Sequence, residues 1–288
     1  MTTSAGNWTI LVTLCDLGWA HGHPASRAIV PELTVLESSP STNAELVGRA
    51  RAADLPSFTT VVTTDQTAGR GRLDRTWVAP AGTALAISVL VVPRTASGAL
   101  PLDRFGWLPI AAGVAMTDTI AEVLPEASTG FKWPNDVIVN GHKICGVLAE
   151  LLPERGGVVI GAGVNLGMTV EQLPVDTATS LAVEGAEGYT VDTVLAGYLS
   201  HLRGLVDGYL AADGDAEASG LAGLARSRCI TLGRAVRVEL PDGAEIVGTA
   251  AALDGDGRLV VRLADGRDET VAAGDVTHAR MVPPGPVA

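Results

Sequence analysis

Apolar and polar positions along the chain fall into three patterns, and each predicts a different element. Residues 84–92 (ALAISVLVV) form a continuous apolar run. Such a run, short and unbroken, predicts a central strand buried on both faces. Residues 33–37 (LTVLE) and the β-branched stretch 59–64 predict two further strands. Residues 108–124 carry apolar side chains at helical spacing and predict a helix packed on the sheet, and a second long helix is predicted over roughly 191–212. Between the first two strands, Ser38-Ser39-Pro40-Ser41 breaks the pattern. Thr42-Asn43-Ala44-Glu45 then reads as a capping box, with Thr42 as the cap and a helix over roughly 43–53.

The segment 130–164 predicts a meander. Phe131-Lys132-Trp133 leads into the turn signal Pro134-Asn135-Asp136, and Val137-Ile138-Val139 is a short strand. Asn140-Gly141 is tight-hairpin chemistry, so 143–152 returns as the partner strand. Gly156-Gly157 turns again and 158–164 is another strand. Consecutive hairpins make the sheet at least partly antiparallel. From about residue 231, short β-rich runs alternate with turns at Pro241-Asp242-Gly243, Asp254–Gly257 and Asp265-Gly266, which predicts five strands in a small SH3-like barrel. The expected organisation is an α+β chain. Residues 1–32 are an extension with little structure, 33–230 the main domain, 231–280 the SH3-like domain and 281–288 a disordered tail.

Composition narrows the function. The chain has 288 residues, 47% of them hydrophobic, enough for a sizeable core. The net charge of −12 gives no general attraction to nucleic acid, so an anionic ligand needs a local cationic site. Of the 20 basic residues 18 are arginine, leaving Lys132 and Lys143 as the two lysines. Three widely spaced cysteines, with no C-x-x-C, argue against a disulfide framework or a zinc site and for a reducing cytosol. His21-Gly22-His23 reads as a solvated loop rather than a metal site. Thr9–Leu14 is apolar but lacks the basic flank of a signal peptide, and no run approaches a membrane span.

Four constellations carry candidate chemistry. Gln66–Trp77 (QTAGRGRLDRTW) sets three arginines against one aspartate among glycines that let backbone amides approach a ligand. Arginine forks match carboxylate and phosphate oxygens, although a solvated surface loop has the same composition. Lys132 sits between two aromatics before a turn; it either meets an anionic ligand or forms a salt bridge to Asp136. Ser38–Asn43 at a helix start either caps the helix or binds a polar ligand group. Gly161–Gly167 after a strand permits close backbone approach without the spacing of a dinucleotide fingerprint.

In order and spacing, GRGRxxRxW at Gly69–Trp77 and KWPND at Lys132–Asp136 resemble the motifs of the biotin protein ligases, and the resemblance runs from about residue 33 to 280. It implies a catalytic domain related to class II aminoacyl-tRNA synthetases followed by an SH3-like domain, in a form without an N-terminal DNA-binding domain. It implies that Ser41, Thr42, Asn43 and Gln66 meet biotin. Arg70, Gly71 and Arg72 would lie in a loop that closes over biotin and its adenylate, and Lys132 would contact the carboxylate and α-phosphate. Trp77 would lie against adenine, and Asn165 near the nucleotide. Arg70, Arg72 and Lys132 are then the catalytic cations. Lys143 either reaches the nucleotide or anchors its strand. Asp74 stands where the family often has glycine.

The implied reaction uses ATP, biotin and Mg²⁺, with no protein metal ligands assigned. Biotin is activated as biotinyl-5'-AMP and passed to a lysine of a biotin carboxyl carrier domain. No general base is evident for the transfer, so positioning of the amine is expected to serve. The expected protein is cytoplasmic, a monomer or weak homodimer, with no membrane and no DNA partner, since about 32 residues before the catalytic pattern lack two helical periods or a basic stripe. Two rival readings are a lipoate ligase of related fold and a biotin-sensing regulator with little catalysis.

Overall fold

The computed structural model describes residues 22–72, 75–239, 244–272 and 278–281. Thr9–Leu14, His21, Asp74, the Pro241-Asp242-Gly243 turn and residues 282–288 of the expected tail lie outside the described residues.

The first described element is α1 (Pro24–Ile29), in a stretch expected to carry little structure. The helix holds because Asp192 accepts hydrogen bonds from the Ala25 and Ser26 amides at 2.9 and 3.0 Å, and from Ser26 Oγ at 2.6 Å. The sequence offered no signal for this tie, since its acceptor lies 166 positions away. His23, expected in a solvated loop, is buried, 4.0 Å from the Asp192 carboxylate. Burial is the main cause lowering its pKa; Asp192 opposes the shift and Arg27 adds to it.

Next come β1 (Leu33–Leu36), α2 (Thr42–Ala52) and β2 (Thr60–Thr63). Ser41, not Thr42, caps α2: its extended backbone turns Oγ to accept from the Ala44 amide at 3.3 Å. Glu45 pairs with Arg49 instead of closing a capping box. Thr42 is therefore the first helical residue, and its hydroxyl is released for other use. Two-residue strands β3 (Gly69–Arg70) and β4 (Thr76–Trp77) pair across the arginine-rich loop. Strand β5 (Ala84–Val91) is buried throughout, as its apolar run predicted.

A small ribbon, β6 (Arg94–Thr95) and β7 (Gly98–Ala99), precedes α3 (Trp107–Val123). The predicted meander appears as β8 (Thr129–Lys132), β9 (Asp136–Val139), β10 (His142–Leu152) and β11 (Gly157–Asn165). Asn140 and Gly141 both have positive φ, 49° and 88°, as the tight hairpin requires. Then follow α4 (Val191–Ala211), α5 (Leu221–Arg228), and strands β12 (Ala235–Glu239), β13 (Glu245–Leu253), β14 (Leu259–Arg262), β15 (Asp268–Val271) and β16 (His278–Met281).

Seven strands form one sheet in the order β1-β2-β5-β11-β10-β9-β8, parallel at β1–β2 and antiparallel at every other pair. This is the expected mixed, largely antiparallel sheet flanked by helices. Alternation along β5 assigns its faces. Leu85, Ile87, Val89 and Val91 join the core that contains α3 and α4, while Leu90 packs with Leu46 and Ala50 of α2. The last five strands form an antiparallel sheet in the order β15-β14-β13-β12-β16, consistent with the expected SH3-like barrel. Two indoles reach the turn between β13 and β14: Trp107 Nε1, at the start of α3, donates to Gly255 O at 2.8 Å, and Trp133 Nε1, just after β8, to Gly257 O at 3.1 Å. Among the described residues no helix is long and apolar enough to cross a membrane.

Candidate active site

A cavity of about 390 Å³ opens over β5 and β11, between the start of α2, the β3–β4 loop, the turn before β9, and residues 174–178. All eleven residues singled out from the sequence line it: Ser41, Thr42, Asn43, Gln66, Arg70, Gly71, Arg72, Trp77, Lys132, Lys143 and Asn165. They come from five separate stretches of chain. The sheet order brings them together, because β5 and β11 are neighbours and β10 carries the turn back to them.

One end of the cavity is neutral and hydrogen-bonded. Gln66 Oε1 accepts from the Thr42 amide at 2.9 Å and from Thr42 Oγ1 at 3.1 Å. Ser88 Oγ lies 2.8 Å from Thr42 Oγ1 and 2.6 Å from Asn43 Oδ1. A hydroxyl has one proton, so Ser88 donates to one of these at a time. Asn43 Nδ2 donates to Leu148 O at 3.2 Å and to Glu150 Oε1 at 2.8 Å. Ser88 was missed in the sequence reading, although a signal was present: it is the one hydroxyl within the apolar run 84–92.

The other end is cationic. Arg70 Nη2 donates to both Glu150 oxygens, at 2.7 and 3.0 Å. Arg72 Nη1 reaches Asn135 Oδ1 at 3.4 Å. Burial lowers the pKa of Arg72, with Asp136 opposing and Arg75 adding to the shift; a guanidinium so shifted still stays charged at neutral pH. Lys132 is half-buried at the end of β8, opposite Asp136 in the strand register. The salt bridge between them that the sequence allowed does not form. Asp136 Oδ1 instead lies 2.6 Å from Lys143 Nζ, an ion pair off the hydrogen-bonding angle. Among the described residues Lys132 makes no ion pair, so its ammonium faces the cavity uncommitted.

Lys143 is anchored twice. Its side chain meets Asp136, and its backbone bonds Thr177 O at 2.7 Å and the Thr179 amide at 2.8 Å. Asn165 Nδ2 donates to Thr179 O at 2.8 Å, tying the same segment to β11. The glycines of β11 serve side chains. A Cβ at Gly163 would lie 2.9 Å from the Trp77 ring, and one at Gly161 would collide with Asn43 Oδ1. Trp77 and Asn43 thus approach the sheet this closely only because those positions are bare. The sequence predicts close backbone approach there; the partners come from distant stretches of chain.

Cys145 lines the wall, but burial pushes its thiol up to about 12, which disqualifies it as a nucleophile. Among the described residues no group of three His, Cys, Asp or Glu side chains is placed to hold a metal ion. The site therefore offers a neutral polar end, a flat indole, and cations suited to carboxylate and phosphate oxygens.

Residues 35–165 match the model of the biotin/lipoate A/B protein ligase family, and residues 231–278 match that of the biotin protein ligase C-terminal domain. The chain is 38% identical over 251 residues to the biotin–[acetyl-CoA-carboxylase] ligase of Mycobacterium tuberculosis, covering 86% of this chain and 90% of that protein. The biotin protein ligase of Aquifex aeolicus, solved in complex with biotin and ATP, superposes with a TM-score of 0.70 at 23% identity over 88% of this chain and all of that one. The biotin protein ligase of Leishmania major, solved in complex with biotinyl-5-AMP, gives 0.54 at 25% identity, covering 84% and 98%.

Proposed function

The chain belongs to the biotin protein ligase family, and from that premise we propose that it activates biotin with ATP and transfers it to a lysine of a biotin carboxyl carrier domain. The observation that carries the reading is the Lys132 ammonium, without an ion pair among the described residues, in a cavity that also holds Arg70 and Arg72. Residues 33–230 would form the catalytic unit and 231–280 the SH3-like unit, in a cytoplasmic enzyme.

In the first step a carboxylate oxygen of biotin attacks the α-phosphorus of ATP. A P–O bond forms, the bond to the β-phosphate oxygen breaks, and pyrophosphate leaves with the electron pair. Two anions must meet, and Lys132, Arg70 and Arg72 would offset their repulsion, each contributing about 2–4 kcal/mol to the transition state by analogy with fixed oxyanion donors. The neutral end, with Ser41, Thr42, Asn43 and Gln66, suits the polar edge of the biotin ring. Trp77 would carry the adenine, beside Lys143 and Asn165. Mg²⁺, when bound with the nucleotide, would help offset the negative charge of the phosphates. In the second step the carrier amine attacks the acyl carbonyl and AMP departs; this chain's part is to hold the anhydride and keep water away.

Two outcomes test the assignment. Biotin-dependent ATP–pyrophosphate exchange is expected with biotin and not with lipoate; the reverse preference would make the protein a lipoate ligase. Gly163→Val is expected to displace Trp77 and raise the KM for ATP about tenfold, while the KM for biotin stays within about twofold, because overpacking of this kind costs about 1–3 kcal/mol. Equal rises in both constants would remove Trp77 from the adenine end.

A further inference from the structure

We propose that Glu150 is the positioning residue of the cationic loop, holding Arg70 at the cavity and linking it to the neutral end through Asn43. Glu150 stands outside the cavity wall, whereas Arg70 and Asn43 both line it. Its carboxylate accepts Arg70 Nη2 on both oxygens and Asn43 Nδ2 on one. An isolated half-exposed pair would contribute little. Here the acceptor is itself fixed, because Asn43 is buried and held by Ser88 Oγ and Leu148 O. The polar path runs unbroken from Gln66 through Thr42, Ser88, Asn43 and Glu150 to Arg70.

A carboxylate beside a ligand-binding arginine could instead sequester it. The geometry favours positioning. Arg70 spends a single nitrogen, Nη2, on Glu150, and among the described residues its Nε and Nη1 make no hydrogen bond. A guanidinium has five donors, so it can hold Glu150 and a ligand anion together. Glu150 thus acts through Arg70 and touches no reacting atom. The inference rests on the ligase reading for its effect on adenylate, but not for its effect on the loop.

The test uses Glu150→Gln in the full chain, with Arg70→Ala and the double variant alongside. In ligand-free protein, Glu150→Gln is expected to speed backbone amide exchange across residues 69–72 and 75–77, and Arg70→Ala to do the same. During turnover, Glu150→Gln is expected to raise release of biotinyl-adenylate about tenfold with the KM for biotin within about twofold, and to add nothing in the Arg70→Ala background. Unchanged loop exchange in Glu150→Gln, or an equal increment with Arg70 already removed, would overturn the proposal. Failure of the unaltered protein to form adenylate would sink the ligase reading instead, while the ligand-free exchange would still judge Glu150.

Discussion

Lys132→Ala is expected to lower biotin-dependent ATP–pyrophosphate exchange by about 10²–10³-fold, the usual cost of removing one fixed donor to a developing charge. The expectation follows from where the charges are committed. Lys143, the other lysine, is held by Asp136, and Arg70 by Glu150. No neighbouring ammonium is available to replace Lys132. Its side chain makes no ion pair among the described residues, so its removal should leave the thermal transition nearly unchanged. Exchange within about threefold of the unaltered protein would refute its role, since that corresponds to less than 1 kcal/mol.

Arg72→Gly is expected to produce the second large effect, on retention of the adenylate rather than its formation. Arg72 joins the β3–β4 loop to Asn135, on the turn that carries Lys132, and Asp136 lies close enough to influence its charge. Glycine beside Gly71 would remove that tie and loosen the backbone at once. Losing one hydrogen bond of a charged group corresponds to release faster by about 10- to 100-fold. The measurement is biotin labelling of a bystander protein that has no carrier domain. Strong labelling with Arg72→Gly and little with the unaltered protein is the expected result; equal labelling by both would mean that the loop does not retain the intermediate.

Much of this was legible in the sequence because it rested on local rules. The apolar run at 84–92, the Asn140-Gly141 hairpin and the five strands after residue 231 all formed as read, since each depends on neighbours a few residues away. What escaped depends on distant partners. Ser41 takes the cap expected at Thr42, and the freed Thr42 hydroxyl bonds Gln66, 24 positions away. Helix α1 exists because Asp192 holds its first turn. Lys132 and Asp136 face each other across a hairpin, yet Lys143, one strand further in the sheet, takes the carboxylate. Glu150 looks like an ordinary exposed residue of an alternating strand until the loop arginine is placed over it.

Lys132 and Lys143 are the chain's two lysines, and the structure gives them different positions. Lys132 is open to a ligand, while Lys143 braces the wall behind it. If the chain activates biotin toward amines as proposed, its scarcity of lysine would also limit self-modification, and Lys143 is further restrained by Asp136.

The most direct measurement is the mass of an isolated biotin carboxyl carrier domain after incubation with this protein, ATP, Mg²⁺ and biotin. Transfer of biotin to the carrier requires an increase of one biotin, located on a single carrier lysine and dependent on ATP. A carrier of unchanged mass, under conditions where the protein binds biotin, would contradict it.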